Sequence, residues 1–348
     1  MSVITRERPV QNQRLTERQH EPSSIGVIGI VETQRGEVNR RKGFITSVVE
    51  TEDQLRYFRE HFINEEIARM NNSPELADIT RLTVRAVVNA DLLSHGRDRD
   101  HIEAIINIGS VKGQGNYAIV YFGYNKVGRQ LSSEQRDDYN RRLMLTNLSR
   151  DVGNLSGILS SPNYRGYTIS RLDTETLTQD QREGIDEMLR DSFKYSENDG
   201  DRMLADSRNI FFIATTATGQ VVGMSMAERR TVALNNGESI TIAEVTNATV
   251  IQGHGGNGLY GAISAHLIRH IAEDRDPATR VDLVYSESNM ERQTLLNAIA
   301  MQHRTYAGIL PNNSFVDNGL KTMMVTYLNR QELDFLYLGE VNRLRRGE

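Results

Sequence analysis

Residues 244 to 263 read EVTNATVIQGHGGNGLYGAI, an apolar β-branched run that breaks into a knot of four glycines and resumes as an amphipathic helix. Few folds accommodate that order. Gly253, Gly255, Gly256 and Gly258 permit backbone angles barred to other residues and leave room for a ligand to touch the main chain. The unpaired N–H groups at the start of the following helix point at whatever sits there, and the helix dipole favours an anion. A strand, a glycine turn and a helix are therefore expected to build a phosphate-binding turn.

The rest of the composition narrows the chemistry. The 348 residues are enough for two domains, or for one with a large extension. Cysteine is absent, which excludes disulfides, thiolate metal sites and cysteine nucleophiles, and makes the cytoplasm the expected compartment. The eight histidines show no HExxH or comparable ligand spacing, so no metal is expected. A net charge of −5 with both signs interspersed offers no footprint for nucleic acid or an anionic membrane. No run approaches the ~20 apolar residues that span a bilayer. Residues 1–25 mix charges without an apolar block and are expected to form a flexible tail, neither secretory signal nor anchor.

Beyond the tail, residues 26–160 are expected to form an α/β domain. Thr51 to Met70 opens with a Thr cap and an acidic first turn, and repeats Leu55, Phe58, Phe62, Ile63 and Ile67 at helical spacing. RLTVRAVVN, HIEAIINIGSV and NYAIVYFGYN read as three strands, and SSEQRDDYNRRLMLTNLSRDVGNL as a helix. Small residues, Pro and Gly cluster at 156 to 166, a domain boundary. Residues 161–348 then give the order β-α-α-β-β-β-α-β-α-β: an antiparallel meander leading into a strand, glycine turn, helix, strand crossover, with KTMMVTYL as the last strand.

Two familiar phosphate binders fit poorly. Gly253, Gly255 and Gly258 satisfy GxGxxG, with Glu287 ending the next strand as a ribose-binding acid would, so a dinucleotide-binding oxidoreductase is one alternative. That fold needs successive βαβ units, whereas the upstream strands form a meander. A P-loop needs Lys after the last glycine, where this chain has Leu259.

Over about residues 165–330 the strand order resembles the GCN5-related N-acetyltransferase (GNAT) family. GGNGLYGAI, 255 to 263, is similar to the family's RGKGLGSAL, with Gly255 at the usual Arg or Gln, Tyr260 at the closing Gly or Ala, and Gln252 able to supply the missing polar side chain. EVTNATVIQ, 244 to 252, and YAGILPNN, 306 to 313, resemble motifs of the β-lysine N-acetyltransferase branch, and DNGLKTMMVTYL resembles its final strand, with Lys321 in place of an acid. The resemblance implies an α/β fold with a mixed sheet whose fourth and fifth strands splay around the pantetheine of acetyl-CoA. It implies an acyl-CoA-dependent N-acyltransferase that moves an acetyl or small acyl group to a primary amine of an amino-acid-like molecule. A homodimer is an expected assembly.

On that resemblance Asn247, Thr249, Val250 and Ile251 meet pantetheine, and Gln252, Gly253, His254, Gly255, Gly256, Asn257, Gly258, Leu259 and Tyr260 cradle the pyrophosphate. Glu244 is the general base, since an alkylammonium with pKa near 10 must lose a proton before attack. Its alternative reading is a carboxylate satisfied by a neighbouring arginine. Ala300 stands where many family members place the leaving-group acid, leaving Tyr306, Tyr285 and Tyr260 as substitutes or as packed aromatics. Ser286, Glu287, Ser288 and Asn289 lie at the mouth of the next strand, Asn289 as a cofactor contact. Asn312 and Asn313 are read as closing a turn, and Met323 and Met324 as strand packing. The departures at Gly255, Tyr260 and Ala300 leave a non-catalytic CoA-binding module as a second alternative. In the first half, LRYFREHFINEE faintly resembles the first helix of acyl-homoserine lactone synthases, implying a degenerate second lobe of the same kind.

Overall fold

A computed structural model describes residues 29–34, 40–45, 48–93, 101–110, 115–126, 131–148, 152–193, 197–234, 237–316 and 319–339. The expected tail, residues 1–25, lies outside the described residues.

The first half contributes β1 (Gly29–Gln34), β2 (Arg40–Ile45), α1 (Glu52–Tyr57), a π-helical turn (Phe58–Ile63), α2 (Asn64–Asn72), β3 (Arg81–Asn89), β4 (Ile102–Ser110), β5 (Asn116–Asn125), α3 (Ser133–Leu148) and α4 (Val152–Leu159). The second contributes β6 (Asn163–Tyr164), β7 (Tyr167–Arg171), α5 (Gln179–Phe193), α6 (Glu197–Ala205), β8 (Asn209–Thr215), β9 (Val221–Ala233), β10 (Ser239–Val250), α7 (Leu259–Glu273), β11 (Leu283–Asn289), α8 (Gln293–Met301), β12 (Thr305–Val316), β13 (Gly319–Asn329) and α9 (Arg330–Leu333). The fold is α/β with one mixed sheet, as the sequence leads one to expect.

Two readings need correction. A strand not expected ahead of KTMMVTYL contains YAGILPNN: it is β12, which pairs with β13 as a hairpin, Tyr306, Ile309 and Leu310 finding partners in Thr326, Met324 and Met323. Asn312 and Asn313 belong to that strand, at an irregularity between Leu310 and Ser314, and Asn312 has φ +48°. Of the helix expected over 132–155, residues 133–148 and 152–155 are helical, in α3 and α4, and 149–151 lie outside the described residues. The closing hairpin also removes the doubly wound sheet that a dinucleotide fold requires.

All thirteen strands form a single sheet in the order β1-β2-β3-β5-β4-β12-β13-β11-β10-β9-β8-β7-β6. Read outward from the β4–β12 junction, both sides follow the same plan. β12, β13, β11, β10 and β9 match β4, β5, β3, β2 and β1, with a parallel pair at β10–β11 and at β2–β3 and antiparallel pairs elsewhere. The halves meet where Gly308 of β12 pairs with Ala104 of β4.

Strand alternation then assigns the two faces. On β3, Leu82, Val84, Ala86 and Val88 join a core with Phe58, Ile63 and Met70 from the helical segment that opens at Thr51. That segment begins with a full capping box between Thr51 and Gln54. In the second half, Ala243 and Val245 of β10 and Val284 of β11 pack with Leu259, Ile263 and Ile271 of α7. The opposite faces of the two halves share one core: Val87, Ile106, Ile119 and Tyr121 from the first half with Ile242, Leu283, Tyr285 and Val325 from the second. Strands far apart in the sheet order are thus packed against each other, and polar groups on those faces are brought together.

Candidate active site

β10 and β11 are paired at Ile242 with Leu283, Ala243 with Val284, and Glu244 with Tyr285, and the ladder then stops. Both strands continue, to Val250 and Asn289, without further pairing to each other. The cause of the divergence is local. On the β9 side the register of β10 shifts between Thr246 and Thr249, and Asn247 within that bulge has φ +48°. A bulge bends its strand, and Asn is among the few side-chain-bearing residues that tolerate the left-handed region. The result is a V with Glu244 and Tyr285 at its apex, Thr249, Val250 and Ile251 along one arm, and Asn289 at the end of the other. Asn247 is buried and its amide contacts Met203 Sδ at 3.6 Å, while Thr249 Oγ1 pairs with Ser192 Oγ at 2.7 Å. Asn289 Oδ1 accepts from the Glu291 N–H at 2.9 Å, and its amide nitrogen is buried without a hydrogen-bond partner among the described residues.

Beyond β10 the chain makes the glycine turn and enters α7. Gly253, Gly256 and Gly258 have φ of +91°, +82° and +81°, and Gly258 is the N-cap. Left-handed glycines of this kind are the backbone from which anion nests are built, and within the turn the His254 N–H donates to the Ile251 carbonyl at 3.2 Å. Gln252, Gly253, Gly255 and Gly256 are exposed, whereas His254 is half-buried with Nδ1 3.0 Å from the Tyr167 hydroxyl. One helix donor is already used: the Leu259 N–H donates to Asn257 Oδ1 at 3.1 Å. The Asn257 carbonyl accepts from Arg165 Nη1 at 2.9 Å and from the Tyr164 hydroxyl at 3.3 Å. Arg165 therefore places a cation at the turn, which sequence reasoning missed; it lies in the Arg-Gly between β6 and β7, where a turn was the only legible signal. Tyr260, half-buried, carries a hydroxyl whose pKa burial pushes up. The residues present suit a diphosphate: exposed donors, a helix start and an adjacent guanidinium.

At the apex an arginine of the first half reaches the pair from β10 and β11. Arg85, on β3 of the first half, donates from Nη1 to Glu244 Oε2 at 2.6 Å and to the Tyr285 hydroxyl at 2.7 Å. The Tyr285 hydroxyl in turn donates to Glu244 Oε2 at 2.9 Å. Glu287 Oε1 lies 3.7 Å from the same guanidinium nitrogen. Burial alone would raise the Glu244 carboxyl, but Arg85, Lys42 and the two hydrogen bonds outweigh it and hold it at about 2. Burial pushes the Tyr285 hydroxyl well above its ordinary range despite Arg85. Glu244 thus has the geometry of a carboxylate satisfied by arginine.

The cluster extends sideways between the halves. Asn313 of β12 accepts from Arg81 Nε at 3.2 Å and Thr83 Oγ1 at 2.9 Å through Oδ1, donates to Glu287 Oε2 at 3.1 Å, and receives Arg40 Nη1 on its carbonyl at 3.0 Å. Arg81 also pairs with Glu103. Tyr121 of β5 is fully buried, its hydroxyl has no hydrogen-bond partner among the described residues, and burial with Glu287 nearby pushes its pKa well up. Arg81, Thr83 and Arg85 alternate with apolar neighbours, so in sequence they read as the solvent face of a strand; nothing local says that this face is covered.

Tyr306 is 41 % exposed and stands opposite Thr326 on β13. Thr326 bonds to Ser286, on the face of β11 opposite to Tyr285, so Tyr306 is not brought to the Glu244–Tyr285 pair. Ser286 also accepts from buried Arg304 at 2.5 Å and lies 3.4 Å from Ser288. Ala300 is buried in α8, and Met324 is buried while Met323 is partly so. Among the described residues no cluster of three or more His, Cys, Asp or Glu could hold a metal, and no helix is long and apolar enough to cross a membrane.

No family model and no curated protein matches the chain. Among solved structures, similarity extends to NAA60 of Arabidopsis thaliana in complex with acetyl-CoA, at 9 % identity and a TM-score of 0.40, covering 47 % of this chain and 99 % of that one. The ribosomal-protein-S18-alanine N-acetyltransferase of Escherichia coli matches at 18 % identity and 0.35, over 47 % and 93 %. Spermidine N-acetyltransferase of Vibrio cholerae in complex with CoA and spermine matches at 11 % and 0.36, over 49 % and 99 %.

Proposed function

We propose that the chain is an acyl-CoA-dependent N-acyltransferase of the GNAT type, whose second half binds acetyl-CoA and acylates a primary amine of an amino-acid-like molecule. One observation carries the reading: a parallel strand pair that opens at Glu244 and Tyr285 leads, through a left-handed glycine turn, to a helix N-terminus. An extended pantetheine arm fits such a gap as an extra strand, hydrogen-bonding the main chain of β10 near Asn247 to Ile251. Its diphosphate then reaches the nest from Gly253 to Gly258, beside Arg165. The amine class of the acceptor is supported by the motif resemblance of residues 244–252 and 306–313.

In the reaction the acceptor nitrogen attacks the thioester carbon, a C–N bond forms, the C–S bond breaks, and the thiolate leaves. The ammonium must first lose a proton, and the released thiolate takes one up. A carboxylate held at about 2 stands about eight decades below an alkylammonium in proton affinity, so Glu244 is a poor acceptor of that proton. Its work in this reading is electrostatic: with Arg85 fixed behind it, it holds the ammonium at the apex while water in the open V carries the proton away. The Tyr285 hydroxyl, donated to Glu244, fixes the carboxylate's second contact.

The test is direct. Acetyl-CoA should bind in calorimetry, NAD should not, and free thiol should appear when the protein is mixed with acetyl-CoA and a panel of diamines and amino acids. Absence of acetyl-CoA binding refutes the proposal. The Arg85–Glu244 pair favours one second reading, a CoA-binding module without turnover, for which binding persists and no acceptor in the panel releases thiol.

A further inference from the structure

The two halves share a strand plan, yet only one has a slot. In the second half the parallel pair opens after three residue pairs. In the first half the equivalent pair, β2 and β3, runs from Arg40 with Arg81 to Phe44 with Arg85 and is closed again beyond it by a bridge between Val49 and Val88. There the Val49 N–H donates to the Val87 carbonyl at 2.9 Å, and the Asn89 N–H to the Val49 carbonyl at 2.8 Å. Where the second half has its glycine turn, the first has Thr51 as N-cap, with Gln54 completing a capping box and Glu52 and Asp53 in the first turn. The Glu50, Thr51 and Gln54 N–H groups are already satisfied, and two carboxylates in the first turn repel a phosphate. The first half has the plan of an acyl-donor site without the opening or the anion nest.

What it does have is a row of side chains aimed across the shared core. Arg85 reaches Glu244 and Tyr285 at the apex of the V. Lys42 lies half-buried where Arg85 and Glu244 both act on its charge. Tyr121, whose ring centroid lies 5.9 Å from the Arg85 guanidinium and which packs in one core with Tyr285, brings a hydroxyl that is wholly buried and unpartnered among the described residues. A buried hydroxyl without a partner is costly to keep and points to something that pairs with it when present. Building on the reading of the second half as the acyl-CoA site, we propose that the first half, its own donor slot closed, completes the acceptor site of the second, with Arg85 as the positioning residue for Glu244 and Tyr285 and the Tyr121 hydroxyl as a direct contact to the acceptor. Neither half is then active alone, since the donor slot and the far wall of the acceptor recess lie about 160 residues apart in sequence.

Three variants of the full chain test this with acetyl-CoA and whichever amine the panel identifies. Tyr121→Phe keeps ring and volume, and should raise the acceptor KM by about tenfold with acetyl-CoA affinity unchanged, the size of one lost hydrogen bond. Arg85→Gln should lower kcat by roughly a hundredfold and move the acid limb of its pH profile upward, because Glu244 loses the cation that depresses it. Arg85→Lys should restore part of kcat and return the limb. A purely structural arginine would lower the melting temperature and leave the limb in place, which overturns the positioning role. If Arg85 variants do not fold, Tyr121→Phe decides: an unchanged acceptor KM overturns the inference while acetyl-CoA binding and wild-type turnover leave the acyltransferase reading intact. Failure of the wild-type chain to bind acetyl-CoA overturns both.

Discussion

Replacing Glu244 by Gln tests the apex without any knowledge of the substrate, because its ionisation is written into stability. The carboxyl falls from an ordinary 4.5 to about 2, which at about 1.36 kcal/mol per decade is about 3 kcal/mol of stabilisation. The group is only 12 % exposed, so solvent screening leaves most of that in place. The sign follows from the depressed value: the contribution is complete above pH 4.5, shrinks as pH falls, and is gone once pH passes below about 2. Glu244→Gln keeps the shape but leaves Arg85 with a neutral neighbour, and loss of one partner from a buried pair costs about 3–5 kcal/mol. Urea denaturation followed by fluorescence or circular dichroism, at half-unit steps from pH 7 to the acid limit of folding, should show the variant about 3 kcal/mol less stable at pH 7 and converging on the wild type below pH 4.5. A difference under about 1 kcal/mol at pH 7, or one that does not change with pH, refutes the buried-pair account.

Gly258→Ala puts a side chain at φ +81° with its Cβ 2.8 Å from the Tyr164 hydroxyl, so it should cost roughly 1–2 kcal/mol and weaken acetyl-CoA binding, whereas Gly255→Ala, in open space, should leave stability unchanged; thermal melts with and without ligand separate the two. At Gly308 an added Cβ would lie 2.7 Å from Ala104 Cα, backbone that cannot rotate away, so Gly308→Ala should part β12 from β4 at a cost of at least about 1–3 kcal/mol and expose the shared core to hydrophobic dye. Calorimetry should find one acetyl-CoA per chain; two would mean that the first half's slot opens after all.

The second half was legible because its signals are local. The β-branched run of β10, the glycines that must turn it, and the amphipathic repeat of α7 each name their own conformation within a few residues, and together they located the glycine turn and the crossover. Asn247, inside EVTNATVIQ, also carried a hint in hindsight: Asn in a β-branched run is a residue suited to a bulge, and that bulge opens the V. β12 escaped notice because Pro311, Asn312 and Asn313 resemble turn chemistry, and only the pairing with β13 overrides it.

Sequence alone thus settled the kind of cleft the chain could make, since backbone freedom and periodicity are properties of neighbouring residues. It could not settle what faces that cleft. Arg81, Thr83 and Arg85 look like a wetted strand face, and Glu244 reads equally as a base or as an arginine's partner, until folding brings Arg85 Nη1 of β3 within 2.6 Å of Glu244 Oε2 on β10. That meeting depends on the closure at Gly308 and on a core built from both halves. Charges so distant along the chain can sense each other only after tertiary folding removes the water between them.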